Sequence, residues 1–269
     1  MNDFVVGALD ACLRFRVPGP EGAWLRELLG DLVVPDPGRE LPVIEWEQAD
    51  AGGWRLQLAG SGAMNDVETA GALAETLVAI NSIAATSVVG ELAAMHGGTF
   101  EVDGVAVAVA GVSGAGKSTT VAAAVLQQHG YLSDEVCAID IGSWKVRPYH
   151  RPIGLRTAGA AAIGVPIPSP VVDYAFVYPW RVSAVGRLAE SAPLGLIALV
   201  ERRPGPVELV ELRPADALVR LAALTLGSAG NERLLFRRFE QVARAIRVIE
   251  LRHDDVFAAV DVLAGAVSR

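Results

Sequence analysis

Eight consecutive residues, Gly111-Val-Ser-Gly-Ala-Gly-Lys117-Ser118, fit the spacing G-x-x-x-x-G-K-[ST]. Every fixed position in that pattern has a task in holding phosphate. The glycines let backbone N–H groups turn inward around an anion, and the N-terminus of a following helix adds partial positive charge. Lys117 is placed to reach the β- and γ-phosphates, and the Ser118 hydroxyl to bind Mg²⁺. The flanks agree, since Val105 to Ala110 reads as a strand and Ser118 to Gln128 as a helix. The expected nucleotide contacts are Gly111, Ser113, Gly114, Ala115, Gly116, Lys117, Ser118 and Thr119. Their ligands are ATP or another nucleoside triphosphate, with Mg²⁺.

The elements around the loop bring further chemistry to it. Asp103-Gly104, between Thr99–Val102 and Val105–Ala110, is the pattern of a two-residue type I′ hairpin. Pairing Val102 with Val105 and counting back puts His96 opposite Gly111, at the mouth of the loop. After the helix, which is expected to end with Gly130 as its cap, Tyr131-Leu132-Ser133 begins a neighbouring strand that ends in Asp134-Glu135. A right-handed crossover returns both carboxylates to the side of the loop. There one acid can join Ser118 in a metal shell while the other faces a substrate hydroxyl as proton acceptor. Lys145, Arg147, Arg151 and Arg156 follow, and Arg151 is the one best suited to hold a transferring phosphate. His129, His150 and His253 are given no role.

The whole chain limits the alternatives. It has 269 residues, 52% hydrophobic and 20% charged, with a net charge of −8. That charge argues against a nucleic-acid partner on a broad basic face. No uninterrupted apolar stretch approaches the roughly 20 residues of a membrane span. Met1-Asn2-Asp3 lacks the features of a signal peptide and there are only two cysteines, Cys12 and Cys137, so a cytoplasmic protein is expected. Residues 1–62 read as a small α/β unit: a helix over 21–32 and strands at 43–47 and 54–58, with Trp24 and Trp54 in the core. Residues 63–269 form the remainder. A long helix is expected over 65–94, broken near Gly90, and a mobile loop over 157–170. Strands are expected at 194–200, 207–212 and 248–251 and helices at 214–226 and 232–243, with a terminal helix capped by Asp254 or Asp255. This order predicts an α/β fold with a mixed sheet.

Taken together, His96-Gly-Gly-Thr-Phe-Glu-Val-Asp-Gly104, the loop Gly111 to Ser118, Leu132-Ser-Asp134-Glu135-Val136 and Pro148-Tyr-His-Arg151-Pro152 resemble the C-terminal kinase domain of the HPr kinase/phosphorylase family. The likeness is greatest to its smaller relatives encoded with peptide-tailoring pathways, and it covers about residues 90 to 265. It implies a nucleotide core of the phosphoenolpyruvate carboxykinase type and ATP-dependent phosphorylation of a serine hydroxyl on a peptide, protein or small molecule. It also implies Asp134 as base, His96 near the transferring phosphate, and a homo-oligomer. Two features depart from the family. Asp134-Glu135 stands where Asp-Asp is common, and the glycine-rich signature after the base is not recognisable between Gly154 and Val165. These departures leave a second expectation beside the kinase: a regulatory or scaffolding module that binds nucleotide without transferring phosphate.

Overall fold

The computed structural model describes all residues except 51, 59–62, 90, 167–177, 228–229 and 269. It is a mixed α/β fold with two mixed sheets. The first sheet has six strands in the order β3-β1-β2-β4-β5-β6: β1 Asn2–Ala8, β2 Ala11–Val17, β3 Val33–Val34, β4 Val43–Gln48, β5 Trp54–Gln57 and β6 Ala63–Val67. In β2 the residues Leu13, Phe15 and Val17 are buried in strict alternation, which drives that strand to cover the core. Two helices pack on this sheet, α1 (Gly19–Leu28) and the 19-residue α2 (Thr69–Ser87).

Several expectations shift here. The hairpin of β1 and β2 was not anticipated, and the boundary drawn at 62/63 leaves β6 outside the sheet to which it belongs. The expected helix over 65–94 is a helix only from Thr69 to Ser87. Asn65 lies in β6, Leu92–Ala94 lies in a strand, and Gly90 is outside the described residues. Trp24 is exposed on α1. Among the described side chains the buried tryptophans are Trp46 and Trp54, 5.5 Å apart, with indole N–H groups donating to Thr76 and Thr69.

The second sheet has eight strands: β7 Leu92–Val102, β8 Val105–Ala110, β9 Gly130–Ser133, β10 Val136–Asp140, β11 Lys145–Arg147, β14 Ala192–Arg202, β15 Glu208–Glu211 and β16 Arg247–His253. The small pair β12 (Ile153–Leu155) and β13 (Tyr178–Trp180) lies apart from it. The centre, β8, β14 and β16, is parallel, while β7 and β15 run antiparallel on its two sides. Along β8 the side chains alternate between two cores. Val107 and Val109 meet α3 (Lys117–Leu126) and α7 (Val256–Val267), whereas Ala106, Ala108 and Ala110 face α5 (Pro214–Ala222) and α6 (Glu232–Ala245). Sheet and helices therefore form three layers, with β8 buried on both faces.

The hairpin carries the predicted register. Val102 pairs with Val105 and the ladder runs unbroken to Gly97 opposite Ala110. Asp103 and Gly104 have φ of 50° and 84°, the signs a type I′ turn demands. Other details differ. Gly130 does not cap the helix: α3 ends at Leu126, Gln128 takes the left-handed conformation, and Gly130 opens β9. Residues Thr157–Ala162 form a short helix, α4, where a loop was expected; 167–170 lie outside the described residues. Asp255 caps α7, accepting from the N–H groups of Phe257 and Ala258. No described helix is long and apolar enough to cross a membrane.

Candidate functional site

The loop Gly111–Ser118 joins the C-terminal end of β8 to the first turn of α3. Gly114 and Gly116 hold φ of 83° and 103°, left-handed values at which a side chain would be strained. Lys117 is 6% exposed, and its ammonium donates to the carbonyls of Gly111 (3.0 Å) and Val112 (3.1 Å). Burial lowers the Lys117 pKa, opposed by the charges of Glu135 and Asp134.

The two acids sit where one edge position of the sheet changes hands. β7 pairs with β10 through Leu92–His96 and with β9 through Thr99–Glu101, so the chain between β9 and β10, Asp134-Glu135, faces Gly97-Gly98. A Cβ on Gly98 would come within 2.6 Å of Val121 and 3.3 Å of the Asp134 carboxylate, so this approach needs glycine. Gly97 N–H donates to the Glu135 carbonyl at 3.3 Å. Glu135 itself has φ of 69°, an uncommon conformation for a non-glycine residue and one that clusters at functional sites.

The two carboxylates have different surroundings. Asp134 is 1% exposed. Its Oδ1 accepts from the Ser118 hydroxyl at 3.0 Å, its Oδ2 from the Gly154 N–H at 3.0 Å, and the Arg151 guanidinium stands 3.9 Å away. Burial raises the Asp134 pKa and the Glu135 charge adds to the rise, against the lowering effects of Arg151, Gly154 and Ser118. Glu135 is open to the cleft, and its Oε2 lies 3.2 Å from His96 Nδ1. Ser118 thus touches Asp134 and His96 touches Glu135, while Lys117 bonds to the loop carbonyls.

A cleft of about 460 Å³ has His96, Ser113, Lys117, Ser118, Glu135 and Arg151 in its wall. Arg151 is 5% exposed, and among the described residues its Nε and one terminal nitrogen have no hydrogen-bond partner. Arg156 also reaches the cleft and donates to Ser113 Oγ at 3.2 Å. The other two basic residues do not: Lys145 is exposed on β11 and Arg147 pairs with Asp10. Among the described residues no group of three His, Cys, Asp or Glu side chains is placed to hold a metal. The neighbouring oxygens of Ser118 and Asp134 suit Mg²⁺, which commonly takes one or two protein ligands and completes its shell with water and substrate phosphates.

Sequence reasoning missed two parts of the wall. Leu77, Val78 and Asn81 of α2 form part of it. Arg202, at the end of β14, reaches it because β14 runs parallel to β8 with Leu199 beside Ala110. That parallel pairing is the only clue to Arg202, and it is not visible along the chain. No protein-family model matches this sequence, and no curated protein matches it.

Proposed function

We propose that the protein is a phosphotransferase that moves the γ-phosphate of a nucleoside triphosphate to a hydroxyl, most suitably a serine hydroxyl on a peptide or small molecule. The observation that carries this reading is the buried Arg151, which borders the same cleft as the phosphate loop and whose Nε and one terminal nitrogen have no hydrogen-bond partner among the described residues. A guanidinium removed from water costs several kcal/mol unless it is paired, and Asp134 at 3.9 Å is too distant for a hydrogen bond. A phosphate in the cleft would give the guanidinium an acceptor there.

The chain's own residues then divide the work. The loop amides and Lys117 hold the phosphates, and Arg151 steadies the group being transferred. Ser118 and Asp134 would hold Mg²⁺, which when bound offsets phosphate charge. Glu135, the accessible acid, accepts the proton of the acceptor hydroxyl, with the His96 imidazole holding its carboxylate at 3.2 Å. This exchanges the roles expected from sequence, where Asp134 was the base. The reason is enclosure: Asp134 lies behind Ser118 and Gly154, with both oxygens occupied. The α2 wall of Leu77, Val78 and Asn81 faces the acceptor.

The acceptor is sought by comparing phosphorylated peptides and small molecules in cells carrying the wild-type protein or Lys117→Ala. A species phosphorylated on hydroxyl oxygen only in the wild-type cells supports the assignment. Identical profiles, together with nucleotide binding in vitro, favour a binding module without transfer.

A further inference from the structure

A second cavity, of about 520 Å³, adjoins the first, and the two share Gly116, Thr119, Gly159 and Arg202 in their walls. It opens at the C-terminal ends of the parallel strands, the side on which open α/β sheets bind ligands. In register, Arg202 of β14 lies beside His253 of β16, so the step from one strand to the next leads from the phosphate loop into this cavity. His253 is 4% exposed and lines the cavity, and among the described residues neither ring nitrogen makes a well-formed hydrogen bond, although the Asp255 backbone lies close enough to favour its charged form. A buried polar group left without a good partner costs about 1–3 kcal/mol, so a partner in the cavity that the imidazole reaches by turning is favoured.

The partner's chemistry follows from the rest of the wall. Asp254 and Asp255 border the cavity, and the first amides of α7 are already taken by the Asp255 carboxylate. A second phosphate is therefore disfavoured. Ala115, Ala162 and Phe257 supply apolar and aromatic surface. Burial holds the His253 imidazole below its ordinary pKa, so near neutral pH it is uncharged and offers one donor and one acceptor. A flat, neutral heterocycle with hydrogen-bonding edges satisfies all of these surfaces.

We infer that this second cavity receives the nucleobase of the nucleoside triphosphate, with His253 hydrogen-bonded to the edge of the base and Phe257 beside its plane. The inference rests on the phosphate-loop reading above, and one experiment separates the two. Dissociation constants are measured for ATP, GTP and inorganic tripolyphosphate, each with Mg²⁺, on the wild-type chain and on Lys117→Ala, His253→Ala and Ala162→Trp. Ala162 is exposed, so the tryptophan fills the cavity from its mouth and remains informative if His253→Ala does not fold. Wild type is expected to bind at least one of the two nucleotides more tightly than tripolyphosphate. His253→Ala and Ala162→Trp should each weaken that nucleotide about tenfold, the value of one buried hydrogen bond, and leave tripolyphosphate within about twofold. Lys117→Ala should weaken all three ligands. Nucleotides that bind no better than tripolyphosphate, or a preference unchanged in the folded variants, overturn the base site while the phosphate loop stands. Failure of all three ligands to bind the wild-type chain overturns both readings.

Discussion

The Ser118 hydroxyl donates to the Asp134 carboxylate at 3.0 Å, linking the last position of the phosphate loop to the first acid after β9. In the proposed mechanism the contact would place Asp134 beside the metal, while Glu135, which lines the cleft, would be the acid open to an acceptor. Exchanging each carboxyl for its amide separates these duties. Glu135→Gln should lower turnover by about 10² to 10⁴, the usual effect of losing a positioned base, with no rescue by added Mg²⁺. Asp134→Asn should raise the Mg²⁺ requirement, and excess Mg²⁺ should restore much of the rate. The reverse pattern returns the base to Asp134.

Asp134 also makes stability depend on pH. Its folded-state pKa is raised, chiefly by burial, so folding favours the protonated carboxyl. The wild-type chain is then relatively most stable below the unfolded value of about 3.9 and loses stability as pH rises from there through the folded value. Asp134→Asn lacks that loss. The melting temperature of the variant minus that of the wild type should increase with pH across this window, and a flat difference would contradict the assigned burial effect.

The α2 wall is open to a direct test, since Val78 is 46% exposed and borders the cleft. Val78→Glu should cost about 0.5 kcal/mol of stability or less, as surface changes usually do. It should raise KM for the acceptor at least several-fold while leaving nucleotide affinity unchanged. Loss of nucleotide binding instead would place α2 on the wrong side of the site.

Thiol chemistry reports the core independently. Cys137 is buried and its pKa is pushed up to about 12 by burial, so it stays a thiol, whereas Cys12 is partly exposed. Iodoacetamide should modify Cys12 alone in the folded chain and both cysteines in denaturant. Rapid labelling of Cys137 under native conditions would contradict the placement of β10.

Much of the site was legible because its geometry is local. A turn that requires two positive φ values fixed the register of β7 against β8, and a short crossover returned Asp134-Glu135 to the loop. What was missed depends on distant pairing or on ambiguous composition. Leu92–Ala94 extends an alanine-rich stretch that suits a helix, yet pairing with β10 makes it strand. His253 and Arg202 look like surface residues along the chain, and only the parallel order β8-β14-β16 brings them to the end of the sheet that carries the Gly111–Ser118 loop. Residues 1–60 carried no chemical motif, and their structural role explains why. Their core is continuous with Leu92, Val136, Ala138 and Tyr149, so they support the second sheet and deleting them would expose that core.

The central claim is transfer of a γ-phosphate by the loop that carries Lys117. Its most direct test incubates wild-type protein and Lys117→Ala with γ-labelled ATP, Mg²⁺ and a mixed library of serine-containing peptides, following both ADP formation and peptide label. The account predicts slow ADP formation without peptide, label on serine oxygen when peptides are added, and loss of both in a Lys117→Ala protein that remains folded. Wild-type protein that binds ATP but forms no more ADP and no more labelled peptide than Lys117→Ala would contradict it.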